Sequence, residues 1–190
     1  MSSAFLLFDA ARAKNSNLQK ATEKNSYAIS LYRGRSEEVL ASVAPYIFPF
    51  PHSNEFSDFI FENGWGNSWG VIVYSSQSIE DIFVHFRKFL MVKTEGGKEL
   101  YFRFYDPRVL KMFLPTCDKD QITDFFGPIE KFIVEGDTKE SAVSFFHKDG
   151  LLKQEPVNVA GFFGTTVVDL PDQPTVVQVK QRRKIIDDDF

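Results

Sequence analysis

The chain has 190 residues, 43% of them apolar and 25% charged, with a formal net charge of −4. Length and composition fit one globular domain, with room for a small appendage, and exclude a disordered chain. The lone cysteine, Cys117, excludes an intramolecular disulfide and a zinc site built on several thiolates.

Phe5–Phe8 reads as a short buried strand and Tyr27–Leu31 as another. Helix formers over Ala10–Lys24 predict a helix between them, a β-α-β opening. Ser36 is placed to cap a helix that runs to about Ala44 and ends at Pro45. Tyr46–Phe50 is a strand fenced by Pro49 and Pro51, and Asn54–Phe61 is helical behind an N-cap residue. The stretch GWGNSWG, from Gly64, brings three glycines and two indoles into a tight turn before the strand Val71–Tyr74. Ser78 caps a helix on which Ile79, Ile82, Phe83, Phe86 and Leu90 form an apolar stripe. Arg87 and Lys88 suit its C-terminal dipole, and His85 lies off the stripe, as a surface or half-buried residue.

Leu100–Tyr105 alternates, with Leu100, Phe102 and Phe104 facing one way, and predicts a strand. Asp106 caps the next helix with Pro107 at its first position, and Pro115 closes it. Asp118 and Gln121 make a capping box for a helix ending at Gly127-Pro128. Phe132–Val134 is a strand. Ser141–Phe146 and Leu151–Glu155 flank Asp149-Gly150, a hairpin signal, and Val176–Val179 is a last β-prone run. The expected fold is α/β, a mixed sheet flanked by helices, with a small β-rich C-terminal extension. Residues 1–135 form the α/β unit, 136–180 the extension and 181–190 a charged tail.

Chemistry-bearing constellations are sparse. No dinucleotide fingerprint, phosphate-binding loop or nucleophile elbow is present. The histidines, His52, His85 and His147, are far apart in sequence, and no metal or cofactor is expected. Asp9, Asp106 and Arg108 could form a polar site at strand ends, where open α/β sheets place their chemistry. Their simpler reading is structural, with Asp106 as a cap and Arg103 and Arg108 as ion-pair partners for the two carboxylates. Trp65 and Trp69 serve either as a binding platform or as core anchors. The basic run Lys180–Lys184 is followed by Asp187–Asp189, a zwitterionic tail rather than a nucleic-acid surface. No stretch reaches roughly 18 apolar residues, and the Ala4–Phe8 run has no basic leader and stops at Asp9. A soluble, cytoplasmic protein without membrane insertion is expected. The 21 phenylalanines imply a large apolar demand, in a core or at a docking surface.

Taken in order, FLLFDAAR, LASVAPYIFPF, GWGNSWGVIVYSS, His85-Phe86-Arg87-Lys88, YFRFYDPRVLKMFLP and FFGPIEKF carry a resemblance. From Phe5 to Val134 the chain resembles the adaptor, or effector-chaperone, family of bacterial type VI secretion, the Tap-like domain of unknown function 4123. The matching positions are Asp9, Gly64, Trp65, Gly66, His85, Arg87, Arg103, Tyr105, Asp106, Pro107, Arg108, Leu114, Pro115, Gly127 and Pro128. Lys88 stands where arginine is common. The resemblance implies a non-enzymatic loading factor that binds a toxic effector and helps place it on the spike protein VgrG. It transfers no catalytic role to any residue, and the region after Glu135 is where partner selectivity is expected. The strand Leu100–Tyr105 and the C-terminal hairpin are the expected docking elements, with Phe, Tyr, Trp and Arg as contact types. A general protein-binding module is the alternative, and a metal-dependent hydrolase using Asp9 and Asp106, with His85, is a further one.

Overall fold

The run Phe5-Leu6-Leu7-Phe8 has no polar side, as a strand buried on both faces requires. It lies within β1 (Ser3–Asp9), near the middle of a seven-stranded sheet. The computed structural model describes residues 2–32, 34, 39–51, 53–93, 97–159 and 163. The other strands of this sheet are β2 (Ile29–Ser30), β3 (Pro45–Phe50), β4 (Gly70–Ser75), β7 (Lys131–Glu135), β8 (Ser141–Lys148) and β9 (Leu151–Asn158), in the order β2-β3-β1-β4-β7-β8-β9. Each pairing is antiparallel, which narrows the expected mixed sheet to an antiparallel one. Between them in sequence, β5 (Met91–Lys93) and β6 (Glu99–Tyr101) make a separate two-stranded hairpin.

Alternation along the strands sorts the core into two clusters. Phe5, Leu7, Ile47, Val71, Val73, Phe132, Val134 and Phe145 face one side. There they meet α4 (Ile79–Arg87), α5 (Pro107–Phe113) and α6 (Lys119–Phe126) through Ile82, Phe86, Leu110, Ile122 and Phe125. Leu6, Phe8, Phe48, Ile72 and Ile133 face the other side, covered by α1 (Ala10–Ala13), α2 (Asn15–Lys24) and α3 (Asn54–Phe59). Helices therefore pack on both faces of the sheet, and most phenylalanines are absorbed by these two layers. Phe125 alone contacts Phe89, Phe102, Phe104, Phe113 and Phe132, with Phe132 stacked at 5.5 Å.

The helix starts follow the capping logic of the sequence. Ser53 Oγ accepts from Phe56 N, Ser78 Oγ from Asp81 N, and Asp118 and Gln121 form the reciprocal box. The hairpin turn Asp149-Gly150 has both residues left-handed, φ 56 and 74, as a two-residue type I′ turn requires. Its strands β8 and β9 continue the same sheet beyond β7.

Four local expectations change. The helix over Ala10–Lys24 breaks at Lys14, whose φ is 72, into α1 and α2. The Tyr27–Leu31 strand shrinks to two paired residues. Pro45 starts β3 instead of only ending a helix, and a 3-10 turn over Ala41–Val43 precedes it. Leu100–Tyr105 is not one strand. Phe102 N donates to Leu90 O, and the chain then turns so that Asp106 N reaches Arg103 O. The alternation survives at Phe102 and Phe104, which join the first core cluster, whereas Leu100 is exposed and Tyr105 buried. Ser36, Val176–Val179 and the charged tail lie outside the described residues.

Pro49 sits inside β3 without breaking it. Its carbonyl accepts from Asn25 Nδ2 at 2.9 Å, so this residue's hydrogen-bonding edge points away from β1 and no ladder donor is lost. Gly70 is required by close approach. A Cβ there would lie 2.1 Å from the Leu7 carbonyl oxygen. Gly70→Ala is therefore expected to destabilise the fold by about 3 kcal/mol in urea unfolding; unchanged stability would contradict the β1–β4 register.

Candidate functional site: a buried ion-pair cluster at the end of β1

Asp9 ends the central strand and starts α1, and its side chain is fully buried. Burial of a carboxylate demands partners, and Asp9 has them on both oxygens. Oδ1 accepts from Arg12 N at 3.1 Å, the N-cap of α1, and Oδ2 accepts from Arg103 Nη2 at 2.5 Å. The same guanidinium nitrogen lies 3.8 Å from Asp106 Oδ2. Asp106 is itself buried and caps α5 through Arg108 N. Arg108 then folds back as a two-pronged partner, Nε to Oδ1 at 3.0 Å and Nη2 to Oδ2 at 2.6 Å. The tight turn over residues 103–106 is what brings both arginines to the two carboxylates.

Tyr105 is buried beside this cluster and hydrogen-bonds the Tyr32 hydroxyl. Burial pushes its hydroxyl far above the usual tyrosine range, and Tyr32 and Asp9 add to the rise. It stays protonated as a neutral hydrogen-bonding group. Burial acts to raise the Asp106 carboxyl, but the hydrogen bonds from Arg108 outweigh it and hold the group below the usual carboxylate range. Burial likewise opposes the Arg103 charge, and the Asp9 hydrogen bond overcomes it.

The GWGNSWG turn is held by a second carboxylate. Glu135, at the end of β7, accepts from Gly66 N at 2.7 Å, Ser68 N at 3.2 Å and Ser68 Oγ at 2.9 Å. Gly66 and Ser68 are both left-handed, φ 84 and 61, which turns their amides inward onto one acceptor. The turn also joins the Asp9 cluster: Asp9 N donates to Trp69 O at 2.7 Å and Arg12 Nε to Asn67 O at 3.1 Å. Both indoles are buried. Trp69 packs edge-on to Phe8, and Trp65 packs on Phe163. Gly64 makes room for the Trp69 ring, whose Cε3 would lie 2.8 Å from a Cβ at that position. The structure places Trp65 and Trp69 as core anchors, not as an exposed platform.

His85 is buried rather than at the surface, because the far side of α4 is covered by α6 and its terminal turn. Its Nε2 lies 2.9 Å from the Phe125 carbonyl, and so carries the proton that bridges α4 to α6. Its ring fills the space above Gly127, where a Cβ would meet Cε1 at 2.4 Å. This contact joins the histidine to the Phe-Gly-Pro motif, distant in sequence. Burial lowers the His85 pKa below the ordinary value. Arg87 points outward and lies over the Phe83 ring at 5.5 Å, apart from the Asp9 cluster.

Of the sequence-selected residues, Asp9, Arg103, Tyr105, Asp106 and Arg108 converge; Trp69 meets them only through its carbonyl, and the side chains of Trp65, Trp69, His85 and Arg87 do not join them. Sequence reading missed Arg12, Tyr32 and Glu135. Glu135 was legible as an acidic residue ending an apolar strand, but its acceptors' donors lie some seventy positions away, at Gly66 and Ser68. Among the described residues no group of three or more His, Cys, Asp or Glu side chains is placed to hold a metal ion, and no helix is long and apolar enough to cross a membrane.

Residues 4–124 match the model of a family described as a domain of unknown function (DUF4123). No curated protein and no solved structure matches the chain.

Two outcomes test these assignments, one for the cluster and one for His85. Asp9→Asn leaves Arg103 with only the Asp106 carboxylate, 3.8 Å away, and is expected to cost about 2 kcal/mol in urea unfolding, less than for a fully buried pair because the guanidinium stays partly hydrated. The pH dependence follows from the shifts. A carboxylate depressed in the folded state, as at Asp106, contributes stability that is present above about pH 4 and lost as pH falls through its folded value. His85, also depressed, makes stability fall as pH drops from about 6.5 toward its lower folded value. Urea midpoints recorded from pH 7 to pH 5 should therefore decline, and His85→Gln should flatten that decline.

Proposed function

Because this chain belongs to the DUF4123 family, with its match running from β1 into α6, we propose that it is a non-enzymatic adaptor that binds a type VI secretion effector and promotes its loading onto the VgrG spike. The family is commonly linked to type VI secretion effector chaperones. The observation that carries the non-enzymatic part is how Asp9 and Asp106 are used. All four carboxylate oxygens take hydrogen bonds from arginine side chains or helix-start amides. Groups held this way fix chain segments; a general base or a metal ligand needs access to substrate or cation, and both carboxylates are buried. The hydrolase alternative asks this end of the fold to open around them.

A general protein-binding module would use the same surface chemistry and differs only in its partner. Gene neighbourhood separates the two, because an adaptor gene is expected between a VgrG gene and a large effector gene. Co-purification from the native host at native expression, with partners identified by mass spectrometry, is the direct test. A stoichiometric complex with an adjacent-gene toxin, with VgrG recovered alongside or on addition, is the expected result. Recovery of neither overturns the adaptor reading.

A further inference from the structure

The hairpin β5–β6 is built unlike the rest of the fold. Met91 pairs with Tyr101, Val92 with Leu100 and Lys93 with Glu99, and all six residues are exposed. Cross-strand partners share a face, so Met91 and Tyr101 lie on one side of the ribbon and Val92 and Leu100 on the other. Their exposures are 42, 62, 38 and 41%, so neither face is sealed against the core. A two-stranded ribbon on its own is marginal in water, and exposed apolar side chains on both faces add little to folding. The hairpin is nonetheless fixed at its base. Phe102 N donates to Leu90 O at 3.0 Å, Leu90 and Phe102 pack on the first core cluster, and Tyr101 rests near Tyr32 at 6.2 Å between ring centres.

The charge around it runs against the trend of the chain. Residues 84–101 hold Arg87, Lys88, Lys93 and Lys98 against Glu95 and Glu99, within a protein of net charge −4, and Lys93 Nζ is paired with Glu99 Oε1 across the ribbon at 3.4 Å. Arg87 and Lys88 are exposed where α4 ends, and Met91 follows three residues after Lys88, at the root of the ribbon. Apolar side chains on a rigidly rooted ribbon, rimmed by cations, complement a segment of the opposite make-up. We propose that the β5–β6 hairpin is the docking surface for an extended or helical segment of the effector whose apolar side chains are flanked by Asp or Glu. This inference rests on the adaptor reading and assigns it a surface. The ribbon's side chains enter the partner's apolar stripe while Arg87 and Lys88 meet its carboxylates and guide encounter.

The test uses the full chain and the adjacent-gene effector identified by the co-purification above. Val92→Ser with Leu100→Ser should weaken the complex by at least about tenfold, since truncating central apolar anchors carries most of the binding energy. Arg87→Gln with Lys88→Gln should weaken it by a similar factor and reduce its salt dependence. These positions are exposed, so urea midpoints should stay at the wild-type value, which separates lost docking from lost folding. Leu151→Ser, at the exposed start of β9, should bind as wild type does. An effector complex that both double variants form with unchanged affinity overturns this inference and leaves the adaptor reading standing. No effector captured by the wild type overturns both. Light scattering showing that the hairpin instead holds two copies of this chain together, or flotation with anionic phospholipid vesicles lost in the Arg87/Lys88 variant, would also overturn it.

Discussion

A fully buried carboxylate at the end of the central strand constrains everything around it. Asp9 has to be paired, and the ways in which it is paired fix three separate segments. Its oxygens hold the first amides of α1 and the Arg103 side chain, and its own N–H holds Trp69 O in the glycine-rich turn. Arg103 is 94 positions away along the chain, so this one contact closes a long loop. The turn over residues 103–106, the cap at Asp106 and the Arg108 fork follow from the need to deliver Arg103 to that point.

The second carboxylate, Glu135, does the corresponding work for the turn between α3 and β4. Two of its three hydrogen bonds satisfy the Gly66 and Ser68 amides, which left-handed residues turn inward, and the third satisfies the Ser68 hydroxyl. Lys111 Nζ adds a bond from α5 to the Glu135 carbonyl at 3.0 Å. Two acidic side chains, at the ends of the strands on either side of β4, thus tie the loops at one end of the sheet to each other. The motif strings that looked like candidate chemistry are largely the two halves of these ties, together with the His85–Gly127 contact.

The 21 phenylalanines are explained by architecture. A sheet sandwiched between helices has two apolar faces to fill, and rings in edge-on and stacked contact fill both. The aromatic excess therefore does not itself mark a binding surface. What stays outside the core is a short list in which the β5–β6 ribbon stands out, because it carries exposed apolar residues on both sides.

By itself the sequence determined what is local. Strand β1 was legible because it has no polar side, α4 because its stripe has helical spacing, and the starts of α3 to α6 because each carries its cap residue. The Asp149-Gly150 hairpin was legible because only residues tolerant of positive φ fit a two-residue turn. Membership of the ion-pair cluster was partly legible too, since two arginines and two aspartates at strand and helix ends demand one another. Tertiary structure alone decided the rest. Whether Leu100–Tyr105 paired as a strand depended on Leu90 taking Phe102 as a partner and on Asp9 drawing Arg103 out of line. Whether His85 faced solvent depended on where α6 and Gly127 came to rest. Glu135 became a ligand for backbone amides only once β7 lay beside β4, because hydrogen-bond partners far apart in sequence are specified by strand order, and strand order is settled by the packing of the whole core.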